Sequence, residues 1–377
     1  MKVGLITTLS TNLGDDFIRE GIIYALKQAF PEQQFELVLV NKHEPSTLYP
    51  KNHPIGWARI FPTHFARSVA TEVLSRLFYR LRGSRFEDCD LIVQCGAPVF
   101  FYKCWFTEWS NPIWRHVVGR LAKKTTVLNL AAGSCYPWEQ LPDRVIDSRE
   151  QRFIRDILGY CTMTTLRDQL AEKVVAPLAA TAALKRIPCS AFLAPLAYPP
   201  PNDLRDEEKY IMINYMSGAG HYDYGLNIDH EKWESTIVEL VQKLKRDHRV
   251  AFMCHNDAEK KLAQSLELDV PVFLPASIQD YFVIASSAKC GVFNRMHACV
   301  GFAGLGIPSV GVGVDSRMMM VQEIGLKTVY VKDADAQDLA DNVEHMLSVR
   351  DAEKSRLEKL QSETLMEYVE ILKTSLR

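Results

Sequence analysis

No apolar run in this 377-residue chain reaches the roughly 18–20 residues that a membrane-spanning helix needs. A polytopic membrane protein is thereby excluded. Basic charge is not in excess either. The 44 lysines and arginines face 46 aspartates and glutamates, so nothing is left over to neutralise a phosphate backbone, and a general nucleic-acid binder is excluded. The nine cysteines are odd in number and contain no C-x-x-C pair, which argues against a zinc ribbon or a disulfide framework. A reducing, cytoplasmic setting is expected. Met1 leads straight into an apolar strand pattern, so no signal peptide is expected. Internal repeats and low-complexity segments are missing as well. The G-x-G at Gly218–Gly220 is too short for a dinucleotide fingerprint.

What the sequence does contain is an alternation of short apolar runs with helical patterns, twice over. Lys2 to Thr8, Phe35 to Val40, Asp90 to Gln94, Thr125 to Ala131 and Cys161 to Leu166 read as strands. So do Tyr210 to Tyr215, Val250 to Cys254, Val270 to Leu274, Lys289 to Phe293, Ser309 to Val312 and Thr328 to Val331. Such alternation predicts parallel sheets covered by helices, and the length suits two domains. Residues 1–195 form the expected first domain and 209–350 the second. A proline-rich, then charged linker at 196–208 joins them, and a helix at 351–377 closes back across both. The fold class is α/β, two doubly wound Rossmann-like domains facing a cleft.

In such sheets ligands bind outside the carboxyl ends of the strands, where helix N-termini favour anions. Five strand exits carry polar groups of interest. Asn12, Gly14 and Asp15 follow the first strand, and Arg167-Asp168 follows the strand ending at Leu166. Asn294, Arg295 and His297 follow the strand ending at Phe293, and Arg317 follows Gly313. His255-Asn256-Asp257 opens a helix at the same edge. Each has a structural reading: Asp15 and Asp257 as helix caps, Arg167-Asp168 as an ion pair, His297 as a packed core imidazole.

The ordered set of short motifs resembles the polysaccharide pyruvyl transferase family. Asn12-Leu13-Gly14-Asp15-Asp16-Phe17-Ile18 looks like the family's N-x-G-D-x-x-I turn. Arg295-Met296-His297-Ala298, Gly306-Ile307-Pro308 and Glu323-Ile324-Gly325 look like its C-terminal series, and Arg167-Asp168 like its R-D step. Two places depart from the pattern. Cys95-Gly96-Ala97 stands where the family has a run of glycines, and Arg317 stands near a family lysine.

The resemblance implies a GT-B-like pair of domains and transfer of a pyruvyl group from phosphoenolpyruvate to a saccharide acceptor, free or lipid-linked, with no metal and no cofactor beyond that donor. On it, the catalytic residues are His297, Asp15 and Arg295, with His297 an imidazolium acid and Asp15 a base. Arg167, Arg317, Asn12, Gly14 and Asn294 would bind substrate. A glycosyltransferase or sugar-nucleotide epimerase on the same fold, and a non-catalytic carbohydrate-binding protein, are the competing readings.

Two further stretches stand out. Phe100, Phe101, Tyr102, Trp105, Phe106, Trp109 and Trp114 offer rings that stack on sugars or pack a long loop. Arg59, Arg67, Arg76, Arg80, Arg82 and Arg85 face a single acid, Glu72, with Leu74, Leu77, Phe78 and Leu81 on one helical face. That segment reads as a basic amphipathic helix held at the inner face of an anionic membrane, or else as a core-facing helix with a solvated basic face.

Overall fold

Two six-stranded, all-parallel sheets carry the fold. The first holds β1 (Lys2–Thr7), β2 (Glu36–Asn41), β3 (Leu91–Phe100), β4 (Thr126–Ser134), β5 (Met163–Leu166) and β6 (Leu184–Arg186), in the order β2-β1-β3-β4-β5-β6. The second holds β7 (Tyr210–Asn214), β8 (Arg249–Met253), β9 (Val272–Phe273), β10 (Ala288–Phe293), β11 (Ser309–Gly313) and β12 (Thr328–Tyr330), in the order β12-β11-β10-β7-β8-β9. The computed structural model describes residues 1–9, 13–78, 83–200, 205–222 and 224–376.

Apolar runs make these strands because both faces are covered by helices. Val3 lies opposite Leu37 and Leu91, and Val292 opposite Ile213 and Val310. All the strands expected from the sequence are present. β6 is an addition: Leu184-Lys185-Arg186 is a short edge strand with little apolar character, so no pattern marks it. Strand order reverses beside β1 in one sheet and between β7 and β10 in the other, which opens a crevice at the carboxyl ends there.

The sheets are pinned together on both flanks of that crevice. On one side Phe17, from the helix Leu13–Ala29, meets Tyr281 edge-on with ring centres 4.8 Å apart and lies 4.9 Å from Phe282. The closing helix, Arg350–Ser375, runs over the same flank. Tyr368 Oη donates to the Pro188 carbonyl at 3.0 Å, and Gln361 Nε2 donates to the carbonyls of Phe192 at 2.7 Å and Gly304 at 2.8 Å. On the other flank the Ser316 N–H donates to the Tyr136 carbonyl at 2.8 Å, and Trp138 stacks on Tyr330 at 5.6 Å.

The basic segment differs from expectation in which of its faces turns inward. In the helix His64–Phe78 the residues turned inward are Ser68, Thr71 and Ser75, while Leu77 is exposed and Leu74 and Phe78 are half-buried. Leu81, Arg80 and Arg82 lie outside the described residues. Two of the three hydroxyls bury cheaply because they bond their own backbone: Ser68 Oγ donates to the His64 carbonyl at 2.6 Å and Thr71 Oγ1 to that of Arg67 at 2.8 Å. Several of the arginines are engaged as well. Arg59 donates to the carbonyls of Ser46 and Tyr49, Arg85 to those of Leu39 and Thr47, and Arg67 to Phe61 O and the Glu44 carboxylate. The basic face is therefore not a free one.

Leu372 is fully buried on the closing helix, whereas Met366 on the same helix is 61% exposed. Leu372→Ala should lower the unfolding free energy by about 3 kcal/mol, the usual range for a buried leucine, and Met366→Ala by under about 0.5 kcal/mol. Chemical denaturation measures both; equal effects would mean that the helix does not bind the two sheets together.

Candidate active site

The crevice is one continuous cleft with two lobes. A cationic lobe of about 420 Å³ is lined by Thr8 and Asp15 after β1, Lys42 and His43 after β2, His64, His221 and Tyr222 after β7, Asn256 after β8, Asn294–His297 after β10, and Arg317 after β11. An aromatic lobe of about 440 Å³ adjoins it, sharing Lys42, His43 and Tyr222 and adding Phe101, Tyr102, Glu108, Trp109, Cys135 and Tyr224. Strand exits from both sheets supply nearly every lining group, as the carboxyl-edge rule requires.

Arg295 sits at the N-cap of the helix Met296–Ala303 and is held by Glu259. Its Nε donates to Oε1 at 2.8 Å, and its Nη2 contacts the same oxygen. Glu259 is fixed in turn by Asn214 Nδ2 at 2.8 Å and the His255 N–H at 2.9 Å. Burial alone would raise the Glu259 carboxyl, yet His255 and Arg295 together hold it below its ordinary value. Arg317 is pinned in the same manner, Nε to Asp315 Oδ1 at 2.8 Å and Nη2 to Oδ2 at 2.6 Å, with its guanidinium 4.8 Å above the Tyr222 ring.

Arg167 is different. It is fully buried, and it lies behind the cleft wall instead of lining it. Asp168 does not pair with it. That carboxylate caps the helix Gln169–Val175, accepting from Ala171 N at 2.7 Å, and also accepts from Ser134 N and Oγ at 2.8 Å. Among the described residues, Arg167 Nη1 reaches only Cys189 Sγ at 3.7 Å, and its Nε and Nη2 have no partner.

The expected imidazolium at His297 is corrected. Burial, then the charges of Arg167, Arg317, His255 and Arg295, push its pKa well below the ordinary histidine value, so protein groups alone leave it neutral. Its Nε2 has no hydrogen-bond partner among the described residues. Gly14 packs directly against this ring: a Cβ built there would stand 2.5 Å from His297 Nδ1. Asn294 lines the cleft and also clamps the strands beneath it. Its Oδ1 accepts from Met216 N and its Nδ2 donates to the Val312 carbonyl, both at 2.8 Å, which uses both ends of the amide. Asp15 lines the cleft as expected, and Asn12 lies outside the described residues. At the departure Cys95-Gly96-Ala97, Gly96 has φ +52° and a Cβ there would come within 2.4 Å of Ile18, so the glycine serves the packing of the first helix.

Sequence reasoning missed several lining groups. Lys42 and His43 follow β2 directly, so the rule that found Arg295 would have found them. Lys42 is buried, 5.8 Å above the Trp109 ring, and burial lowers its pKa while Asp15 and Glu108 oppose the shift. His43 Nδ1 contacts Glu108 closely, and that contact holds the Glu108 carboxyl below its ordinary value against the effect of burial. Of the aromatic run, Phe101, Tyr102 and Trp109 line the cleft; Phe100 and Trp114 are core residues, and Trp105 lies under Arg149.

This is the fold of GT-B enzymes. The chain is similar to the S. aureus MnaA–UDP co-structure at 12% identity, covering 95% of this chain and 90% of that one with a TM-score of 0.57. It is similar to UDP-GlcNAc 2-epimerase from Neisseria meningitidis bound to UDP-GlcNAc at 13% identity, over 97% of this chain and 100% of that one, TM-score 0.55. The corresponding figures for UDP-GlcNAc 2-epimerase from Methanocaldococcus jannaschii are 14%, 92%, 93% and 0.55. No curated protein matches the sequence. The chain belongs to the polysaccharide pyruvyl transferase family, whose sequence model matches residues 12–316, and it is a transferase.

His255 gives a measurable consequence. Burial lowers its pKa to about 4, from an unfolded value near 6.5. Between those values the unfolded chain binds a proton that the folded chain refuses, so stability falls as pH drops through the window. At pH 5 the shift accounts for about 2 kcal/mol. Between pH 7 and pH 5 the wild type should lose about that much more unfolding free energy than His255→Gln does. Parallel pH curves for the two proteins would show an imidazole that titrates normally.

Proposed function

We propose that this chain transfers the pyruvyl group of phosphoenolpyruvate onto two hydroxyls of one sugar in a surface polysaccharide or its lipid-linked precursor, forming a cyclic ketal. Family membership supports the transfer. The observation that carries the donor is Arg167, a fully buried guanidinium with two nitrogens unpartnered among the described residues, whose charge opposes the proton of His297. An unpaired buried charge costs several kcal/mol, and an anion in the cationic lobe offsets that cost. Phosphoenolpyruvate brings a carboxylate and a phosphate. Arg295 and Arg317, each braced by its own carboxylate, present planar forks to such oxyanions.

The same charges give His297 its timing. Four cationic or imidazole neighbours disfavour its proton, and a ligand with two or more negative charges reverses that field. The imidazolium formed with the donor in place delivers its proton to C3 of the enol. C2 becomes electrophilic, one sugar hydroxyl adds to it, and Asp15 takes that hydroxyl's proton. The C2–O bond to phosphate breaks, inorganic phosphate leaves with its electron pair and the proton from Asp15, and the second hydroxyl adds to C2, gives its proton to the now neutral His297 and closes the ketal. The aromatic lobe suits the acceptor: Trp109, Tyr102 and Tyr222 for the apolar faces of a sugar, and Lys42 and the His43–Glu108 pair for its hydroxyls.

Arg167→Met tests the donor site. It removes an unpartnered buried charge, so the protein measured alone should gain thermal stability, equivalent to about 1–3 kcal/mol. The stabilisation that phosphoenolpyruvate gives the wild type should largely disappear. A variant that is stabilised by phosphoenolpyruvate as much as the wild type would remove Arg167 from donor binding. A wild type stabilised by UDP-GlcNAc and not by phosphoenolpyruvate would replace this reading with the epimerase or glycosyltransferase one.

His297→Asn should keep that stabilisation and lose about 10²–10⁴-fold in kcat, the usual worth of one general acid. Phosphate release under single-turnover conditions measures it. Turnover within a few-fold of wild type would leave the imidazole as packing against Gly14.

A further inference from the structure

The helix His64–Phe78 is built inside out. A surface helix ordinarily buries its apolar stripe. Here Ser68, Thr71 and Ser75 face the domain with Leu74 and Phe78 partly buried beside them, while Phe65, Val69, Val73 and Leu77, spaced four apart, face outward. Phe65 is 72% and Leu77 71% exposed. The turn just before the helix adds Trp57 at 72% and Ile60 at 81%. Large apolar side chains exposed together along one helix face mark an interaction site.

Charge says what covers it. From Lys51 to Phe86 the sequence has seven lysines and arginines and one acid, Glu72, in a chain that is otherwise balanced. Glu72 is taken by Arg76 at 3.0 Å and His116 at 3.2 Å. Arg67 is likewise taken by Glu44, whereas Arg59 and Arg85, which donate to backbone carbonyls, keep their charge because a carbonyl does not neutralise it. A second copy of this chain docking by the same patch about a two-fold axis would set these cations against each other. An anionic bilayer surface complements them, and it accepts an apolar helix face lying in its plane.

Position ties the surface to the site. His64, the first residue of the helix, lines the cationic lobe of the cleft, and the outward Phe65 follows it directly. The apolar stripe therefore begins at the mouth of the cleft. We propose that Trp57, Ile60, Phe65, Val69, Val73 and Leu77 insert into the headgroup–acyl boundary of an anionic membrane, and that the saccharide acceptor arrives at the cleft from that side, attached to a lipid. The acceptor part rests on the pyruvyl-transfer reading; the docking part does not.

Co-sedimentation with phosphatidylglycerol-containing vesicles tests the docking. Wild-type protein should pellet, and much of the binding should survive about 0.5 M salt because screening spares the apolar contribution. The triple variant Phe65→Gln/Val69→Gln/Leu77→Gln should bind at least about tenfold more weakly. Because these side chains are exposed, its Tm should match the wild type's, which separates lost docking from lost folding. No pelleting of the wild type at low salt, or equal pelleting of the two proteins, overturns the proposal. So does a wild type that is dimeric by light scattering and does not bind vesicles, beside a monomeric triple variant.

Turnover separates the two readings. With both alive, the triple variant should match the wild type on a soluble saccharide and lose at least about tenfold on a lipid-linked acceptor in vesicles. Equal loss on both acceptors overturns the acceptor part. Vesicle binding by a protein that turns over neither acceptor sinks the pyruvyl reading and supports docking. Turnover of a soluble acceptor without vesicle binding does the reverse.

Discussion

Three guanidinium groups are buried at one edge where two sheets meet, and the architecture of the cleft depends on how each is compensated. Burying a cation costs several kcal/mol unless geometry and hydrogen bonds return it. Arg295 and Arg317 are compensated inside the protein by Glu259 and Asp315. Holding those carboxylates recruits more of the chain: Asn214 and the His255 backbone hold Glu259, and the Asn294 amide ties β10 to β11 and to Met216. Among the described residues no carboxylate hydrogen-bonds Arg167, although the charge of Asp168 lies within its field. Arg167 opposes the proton of His297 more than any other charge does.

Much of this geography was legible in the sequence because parallel sheets impose it. A strand needs an apolar run, the run ends at a polar residue, and that residue is at the ligand edge. Asp15, Arg295, His297 and Arg317 were found in that way, and Lys42 and His43 satisfy the same rule after β2. The compensating network was not legible. Glu259 lies 36 positions before its partner and reads as one more acid near a helix start; only the packing of β8 beside β7 brings it to Arg295. Nor does a two-residue step such as Arg167-Asp168 say whether its charges pair. Here the aspartate has three nearer donors around it, so it caps a helix and leaves the arginine alone.

The helix His64–Phe78 shows a second limit. Periodicity says that one face differs from the other, and it does not say which of them meets the protein. The choice normally follows apolar burial. Three inward hydroxyl residues changed it here, because at least Ser68 and Thr71 satisfy their own polar groups within the helix and demand nothing from the core. Packing then becomes nearly neutral as to face, and the apolar residues are free to serve something outside the chain.

The neutral state of His297 follows from the same excess of cations that makes the cleft receptive to an anion. The two properties are linked thermodynamically. A group whose proton is opposed by positive charge regains it when negative charge is added, and the ligand that adds it is bound more tightly for doing so. In the proposed reaction the acid is therefore absent until the donor supplies the charge that creates it. A permanently protonated histidine in this place would need a permanent carboxylate beside it. That carboxylate would compete with the donor for the arginines, as Glu259 and Asp315 already do for two of them. Leaving Arg167 without one keeps the field available, and burying it one layer behind the wall keeps water from screening it.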